Sequence, residues 1–237
     1  MKRKFSLDRI TIIFIGLILV GGIFSSCLKD NYPNGVSVQV AGIALINASP
    51  GSPNLNFIAD GQRKPLPSLF AYDSAMAYLP AYPGYRVFGF TLPDSYNLLI
   101  SQQFYLEPGD AYSIFISDSL EDAKLTYLRD TAMLPDSSMA GIRFANFSPN
   151  SQGLDLIVAN TDTLANNIVY TKATAFRSIA PSTNYSFQLK EKGSNTILAT
   201  LNNVSIEKGK AYTLWARGFE NSNMESTKIG LAIMRNR

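Results

Sequence analysis

Polar and apolar residues alternate along this chain in short runs, and most runs end in turn residues. From Val36 through Val38 and Val40 to Ala48 the stretch becomes almost continuously apolar. It predicts a strand over 36–48, bulged at Gly42. A second strand is predicted over 55–59, closed by Asp60-Gly61. Residues 62–69 carry Pro65 and Pro67 and read as a loop. Strands follow over 74–79, 85–90, 96–101, 104–106, 111–117 and 123–128, separated by turns such as Pro83-Gly84 and Glu107-Pro108-Gly109-Asp110. A later set over 173–180, 185–189, 196–201, 204–206, 211–218 and 229–234 repeats the plan. No window supports a long amphipathic helix. Seven or eight short strands per unit predict an all-β chain of two tandem antiparallel β-sandwiches.

The repetition is written in the residues. AGIALINASPGSPNLNFIADG at 41–61 returns as AGIRFANFSPNSQGLDLIVAN at 140–160, with nine of the 21 pairs identical. Glu107-Pro108-Gly109-Asp110-Ala111-Tyr112 is echoed by Glu207-Lys208-Gly209-Lys210-Ala211-Tyr212. The duplication sets the organisation: 36–129 as the first sandwich, 130–138 as a polar linker and 139–237 as the second sandwich.

The first 35 residues differ in character. Lys2, Arg3 and Lys4 precede an apolar run over 10–24, which is shorter than the ~20 residues of a spanning helix and of signal-peptide length. The run ends in Phe24-Ser25-Ser26-Cys27, which resembles a bacterial lipobox. The resemblance implies a signal peptide over 1–26, cleavage before Cys27, and acylation of Cys27 with lipid including palmitate. A lipidated tether over 27–35 would follow. Several acyl chains anchor stably, at ~0.8 kcal/mol per buried methylene. The location expected is the bacterial envelope, as an outer-membrane lipoprotein that is either surface-exposed or periplasm-facing.

Charge and composition remove several chemistries. Without the leader the chain has 17 basic and 17 acidic side chains (21 less 4, and 18 less 1), so a nucleic-acid partner has no electrostatic footing. With no His and a single Cys, there is no Ser-His-Asp or Cys-His apparatus, no His metal ligand and no intrachain disulfide. No phosphate-binding loop of the G-x-x-x-x-G-K type occurs. The expectation is a non-enzyme with no cofactor and no metal. The acidic group Asp118, Glu121 and Asp122 lacks EF-hand spacing and reads as a solvated turn.

The opening strand, the Asn-x-Ser-Pro turn, the following strand and the late Glu-x-Gly-x-Ala-Tyr motif resemble the domain-of-unknown-function 4397 family. The resemblance covers 41 to about 128 and 140 to about 235. It implies immunoglobulin-like sandwiches in tandem on exported bacterial proteins, and no catalytic residues.

Asn47/Asn146, Ser49/Ser148 and Pro50/Pro149 occur in both copies and read as turn chemistry. The copies differ in aromatics. Tyr72, Tyr78 and Tyr82 stand where an offset of 100 gives Lys172, Ser178 and Ser182; with Tyr85 they make a candidate ligand face, or else pack at a sandwich edge or domain interface. Asp-Ser/Thr-aliphatic triplets, a pattern O-glycosylated on exported proteins of some Gram-negative bacteria, place candidate acceptors at Ser74, Ser119, Thr131 and Thr163. The function expected is non-catalytic binding of a glycan, a peptide or an envelope protein by a membrane-anchored protein. The alternatives are a spacer without a ligand and, remotely, an unrecognised hydrolase.

Overall fold

The computed structural model describes residues 39–130, 137–159 and 161–236. Cys27 and Thr131 lie outside the described residues. The first copy contributes β1 (Ala41–Ala48), β2 (Asn56–Ala59), β3 (Gln62–Lys64), β4 (Ala75–Ala81), β5 (Gly84–Thr91), β6 (Leu98–Leu106), β7 (Ala111–Ser117) and β8 (Lys124–Arg129). The second contributes β9 (Ala140–Asn146), β10 (Leu154–Val158), β11 (Asp162–Ile168), β12 (Arg177–Ile179), β13 (Ser182–Glu191), β14 (Ile197–Ile206), β15 (Ala211–Arg217) and β16 (Gly230–Arg235). Each copy is a sandwich of two four-stranded sheets. The inner sheets run β4-β1-β7-β8 and β12-β9-β15-β16; the outer sheets run β3-β2-β5-β6 and β11-β10-β13-β14. The sheets are antiparallel except where β1 meets β7 and β9 meets β15, which pair parallel.

The near-continuous apolar run of β1 has a direct cause: both its faces are buried. Ile43 and Leu45 enter the core of the first sandwich with Phe57, Phe88 and Phe104. Ala44, Ile46 and Ala48 face the other way, into a third apolar layer shared with Phe115, Ala145, Phe147 and Trp215 of the two inner sheets. Phe115 stacks on Phe147 at 4.0 Å and meets Trp215 edge-on at 6.0 Å. Inner sheet therefore packs on inner sheet, and each outer sheet turns one face to solvent.

A polar cluster closes one end of this layer. Asp130, the first residue of the polar linker expected from the sequence, is 2% exposed. It pairs with the buried Arg143 and accepts from Ser113 Oγ at 2.7 Å and from the Tyr78 hydroxyl at 2.6 Å. Arg143 Nε donates to Thr213 Oγ1, and Thr213 Oγ1 donates to Asn236. Asp130 and Asn236 occupy the same place in the two copies, one residue past the partners of Tyr112 and Tyr212.

The repeated Asn and Ser are structural in both copies. Asn47 donates to Phe70 O and accepts from Ser49 N and Ser52 Oγ, while Asn146 donates to Ile168 O and accepts from Ser148 N. The first ties the end of β1 to the loop that follows β3, and the second ties the end of β9 to the last residue of β11. Tyr112 and Tyr212 accept the amides of Glu107 and Glu207 at 3.0 and 3.1 Å, which explains the repeated Glu-to-Tyr spacing. Gly42 leaves room for Tyr78: a Cβ there would stand 3.2 Å from its ring.

Candidate binding site

The four tyrosines proposed as one face do not share one. Tyr72 lies against Arg217 of the second sandwich, its hydroxyl accepting from Nη1 at 3.1 Å, beside the Asp73–Arg217 ion pair. Burial raises the pKa of both Tyr72 and Asp73. The Tyr78 hydroxyl belongs to the buried cluster around Asp130, and desolvation raises its pKa strongly. Tyr82 and Tyr85, by contrast, are 71% and 69% exposed, Tyr82 in the β4–β5 turn and Tyr85 at the start of β5.

The fixed offset of 100 also misaligns this region. Asp73 and Ser74 bond to Asn47 as Thr171 and Lys172 bond to Asn146, so Tyr72 corresponds to Tyr170 and Tyr78 to Phe176. Tyr170 sits at the interface like its counterpart, 3.0 Å from Ser117 Oγ.

The remaining sequence candidates are dispersed. Ser74 Oγ donates to Ala71 O, half-buried. Ser119 Oγ lies 3.4 Å from Asp122. Thr163 is exposed, but on strand β11 rather than in a loop. Asp118 is engaged by Lys124 at 3.4 Å and by the Tyr170 hydroxyl at 3.3 Å. No group of three or more His, Cys, Asp or Glu among the described residues could hold a metal ion.

Tyr82 stands at the rim of a cleft of about 400 Å³ in the first sandwich, between edge strands β3 and β4. Its walls are Ile43, Phe57, Leu79, Ala81 and Phe88, and its rim carries Asp60, Lys64 and Arg86. The rim is held firmly. Asp60-Gly61 makes the β2–β3 turn with both residues at positive φ, the geometry that Asp-Gly accommodates. The Asp60 carboxylate accepts the Val87 amide at 2.9 Å and Arg86 Nη1 at 3.1 Å, and the Val87 bond, with help from Arg86, holds its pKa below the usual value. Arg86 also donates to Tyr82 O and Pro83 O, which fixes the turn that projects Tyr82.

The same edge of the second sandwich is sealed. Ile43 pairs with Leu79, and its counterpart Ile142 pairs with Arg177. Arg177 reaches from β12 to β11, donating to Thr163 O and Leu164 O at 3.1 Å each and pairing with Asp162 at 3.3 Å. Phe57 pairs with the exposed Lys64, whereas Leu156 pairs with the buried Ala165. The seven-residue β11 carries Leu164, Ala165 and Ile168 against the core; β3 stops after three residues, immediately before Pro65. The gap bordered by Leu156, Leu164 and Arg177 leaves no room for a water molecule.

Sequence reasoning singled out Tyr82 but missed Leu79. The signal lay in its contrast with its counterpart Arg177, which appears only once the copies are aligned through their strand registers.

A family model described as a domain of unknown function (DUF4397) matches residues 41–157 and again 140–230. No curated protein matches the sequence. Among solved structures, a family 41 carbohydrate-binding module of streptococcal virulence factors, which recognises alpha-glucan, is 11% identical. That match covers 81% of this chain and 96% of its own, with a TM-score of 0.26. A candidate cell adhesion protein from Bacteroides eggerthii is 8% identical over 86% of this chain and 98% of its own, with a TM-score of 0.24. Overlaps this loose leave those proteins' ligands without bearing on this chain.

Proposed function

The chain belongs to the DUF4397 family of domains of unknown function, and from that premise we propose that it is a lipid-anchored bacterial envelope protein that binds a partner without catalysis, through the β3–β4 cleft of its first sandwich. One observation carries the reading: two copies of one fold differ at the same edge, open and apolar in the first, closed by Arg177 in the second. The walls suit an apolar body, and the volume lies in the ~300–1,000 Å³ range of ligand sites. Pro80 on β4 and Pro65 after β3 disfavour a peptide adding as a further strand, so a side chain or small molecule entering the cleft fits better. The Asp60 carboxylate and the Arg86 guanidinium at the rim hold the turns, and the chain has no His to serve as a base. The leader ending at Cys27 supports the anchor. Palmitate-analogue labelling should mark the wild type and not Cys27→Ala; equal labelling would remove the anchor from the proposal.

The spacer reading draws on the shared layer around Phe115, Phe147 and Trp215, which joins the sandwiches into one compact unit. The two readings part at the cleft. Titration with the apolar fluorophore N-phenylnaphthylamine should show one site per chain, lost in Leu79→Arg. Absence of any site would favour the spacer.

A further inference from the structure

We infer that the opposite edge of the first sandwich, between β6 and β8, is a carbohydrate-binding subsite built on Tyr105, Tyr127 and Glu107. It is a separate site, and it stands or falls independently of the β3–β4 cleft.

These three residues, with Tyr112 and Arg129, line a cleft of about 430 Å³. Tyr105 and Tyr127 are 44% and 41% exposed, large for rings so well supported. Tyr105 is braced edge-on by Tyr85 at 4.9 Å, and Tyr127 rests on Phe104 at 4.9 Å and on Tyr112 at 5.8 Å. Rings fixed in this way offer flat apolar contact at little entropic cost. Among the described residues no hydrogen bond or ion pair engages the hydroxyls of Tyr105 and Tyr127 or the carboxylate of Glu107.

The second copy shows what the first has changed. There Glu207 pairs with Arg235 at 3.8 Å. Arg129 corresponds to Arg235, through their pairing with Tyr112 and Tyr212. In the first copy Arg129 turns instead to Asp110, where the second copy has Lys210, and Glu107 is left facing the cleft. The tyrosines are replaced as well. Tyr127 pairs with Ile114 as Ile233 pairs with Leu214, and Tyr105 gives way to Ser205.

The combination selects a ligand class. A sugar ring has a C–H face that lies on a phenol and hydroxyls that donate to a carboxylate and exchange hydrogen bonds with phenolic O–H groups. An apolar ligand would leave Glu107 desolvated and unpaired, and an acidic one would be repelled by it.

The test is isothermal titration of the full chain, held in a sugar-free zwitterionic detergent. The probes are hexasaccharides of α-1,4-, β-1,4- and β-1,3-linked glucose and of mannose, and a chitin tetramer. At least one should bind. Tyr105→Ala should weaken it by about tenfold or more, since that ring is on the surface and its loss should not perturb folding. Glu107→Gln should weaken it by several-fold, and Leu79→Arg should leave it unchanged. Tyr127→Phe keeps the packing on Phe104 and should show a smaller loss. Failure of every probe to bind would overturn the inference, and so would binding that Tyr105→Ala and Glu107→Gln leave intact.

Discussion

The two sandwiches are one design with two outcomes. Both hang an inner sheet on a doubly buried strand, clasp its end with an Asn side chain and lock the turn before β7 or β15 with a tyrosine hydroxyl. They part at their edges. The second covers its β11–β12 edge with Leu164, Ala165 and the Arg177 strap and satisfies Glu207 with Arg235. The first ends β3 early, places Leu79 where the strap would be, and redirects Arg129 to Asp110. Duplication separates the two demands on a small sandwich: the shared inner layer packs both copies together, and the edges of the first copy stay uncovered.

Exchanging single residues between the copies tests this contrast. The largest effect belongs to Asp130→Asn, which gives the first copy the residue found at Asn236. It leaves the Arg143 guanidinium buried without its carboxylate, and urea unfolding should report a loss of about 3–5 kcal/mol. Phe147→Ala removes the partner of Phe115 from the shared layer and should cost a similar ~3–5 kcal/mol.

Leu79→Arg imposes the second copy's strap on the first. N-phenylnaphthylamine affinity should fall by about tenfold or more, with little change in stability. The reverse exchange, Arg177→Leu, should add a weaker second site, because Leu164 and Ala165 remain in place. The ion pair it breaks is largely exposed, so the stability cost should stay within ~1 kcal/mol.

The smallest effect is on pH dependence. Asp60 corresponds to Ala159, since Ala59 pairs with Phe88 as Val158 pairs with Phe187. Its pKa is lower in the folded chain than the ordinary 3.8, so the stability it contributes is present above that value and is lost as pH falls through the folded pKa. The stability difference between wild type and Asp60→Asn should therefore be present at neutral pH and fade below pH 3.8.

How much of this was legible in the sequence depended on burial. Strand β7 was delimited correctly because Ala111 to Ser117 is buried on both faces and sharply bounded by turns. Strands β3 and β11 were missed: QRK is wholly exposed, and DTLANNI is mostly polar on a sheet edge. Strand β6 was read as two pieces because Gln102 and Gln103 face solvent within it. The excess of tyrosines in the first copy was visible, but not its meaning. Loop lengths shift the offset from 99 at β1 to 98 at β4 and 100 at β7, so Tyr72 and Tyr78 were compared with the wrong residues. Contrasts such as Leu79 with Arg177 exist only between residues that face equivalent strand partners, Ile43 and Ile142, and that equivalence is set by register rather than by position along the chain.

Among the described residues, the first copy presents an open edge between β3 and β4 and the second closes its equivalent between β11 and β12. Backbone amide shifts followed by NMR during titration with N-phenylnaphthylamine test it most directly. Shifts should be confined to the amides of Ala59, Lys64, Leu79 and Ala81, with Val158, Ala165, Arg177 and Ile179 unmoved. Equal shifts at both edges, or shifts at the second edge alone, would contradict it.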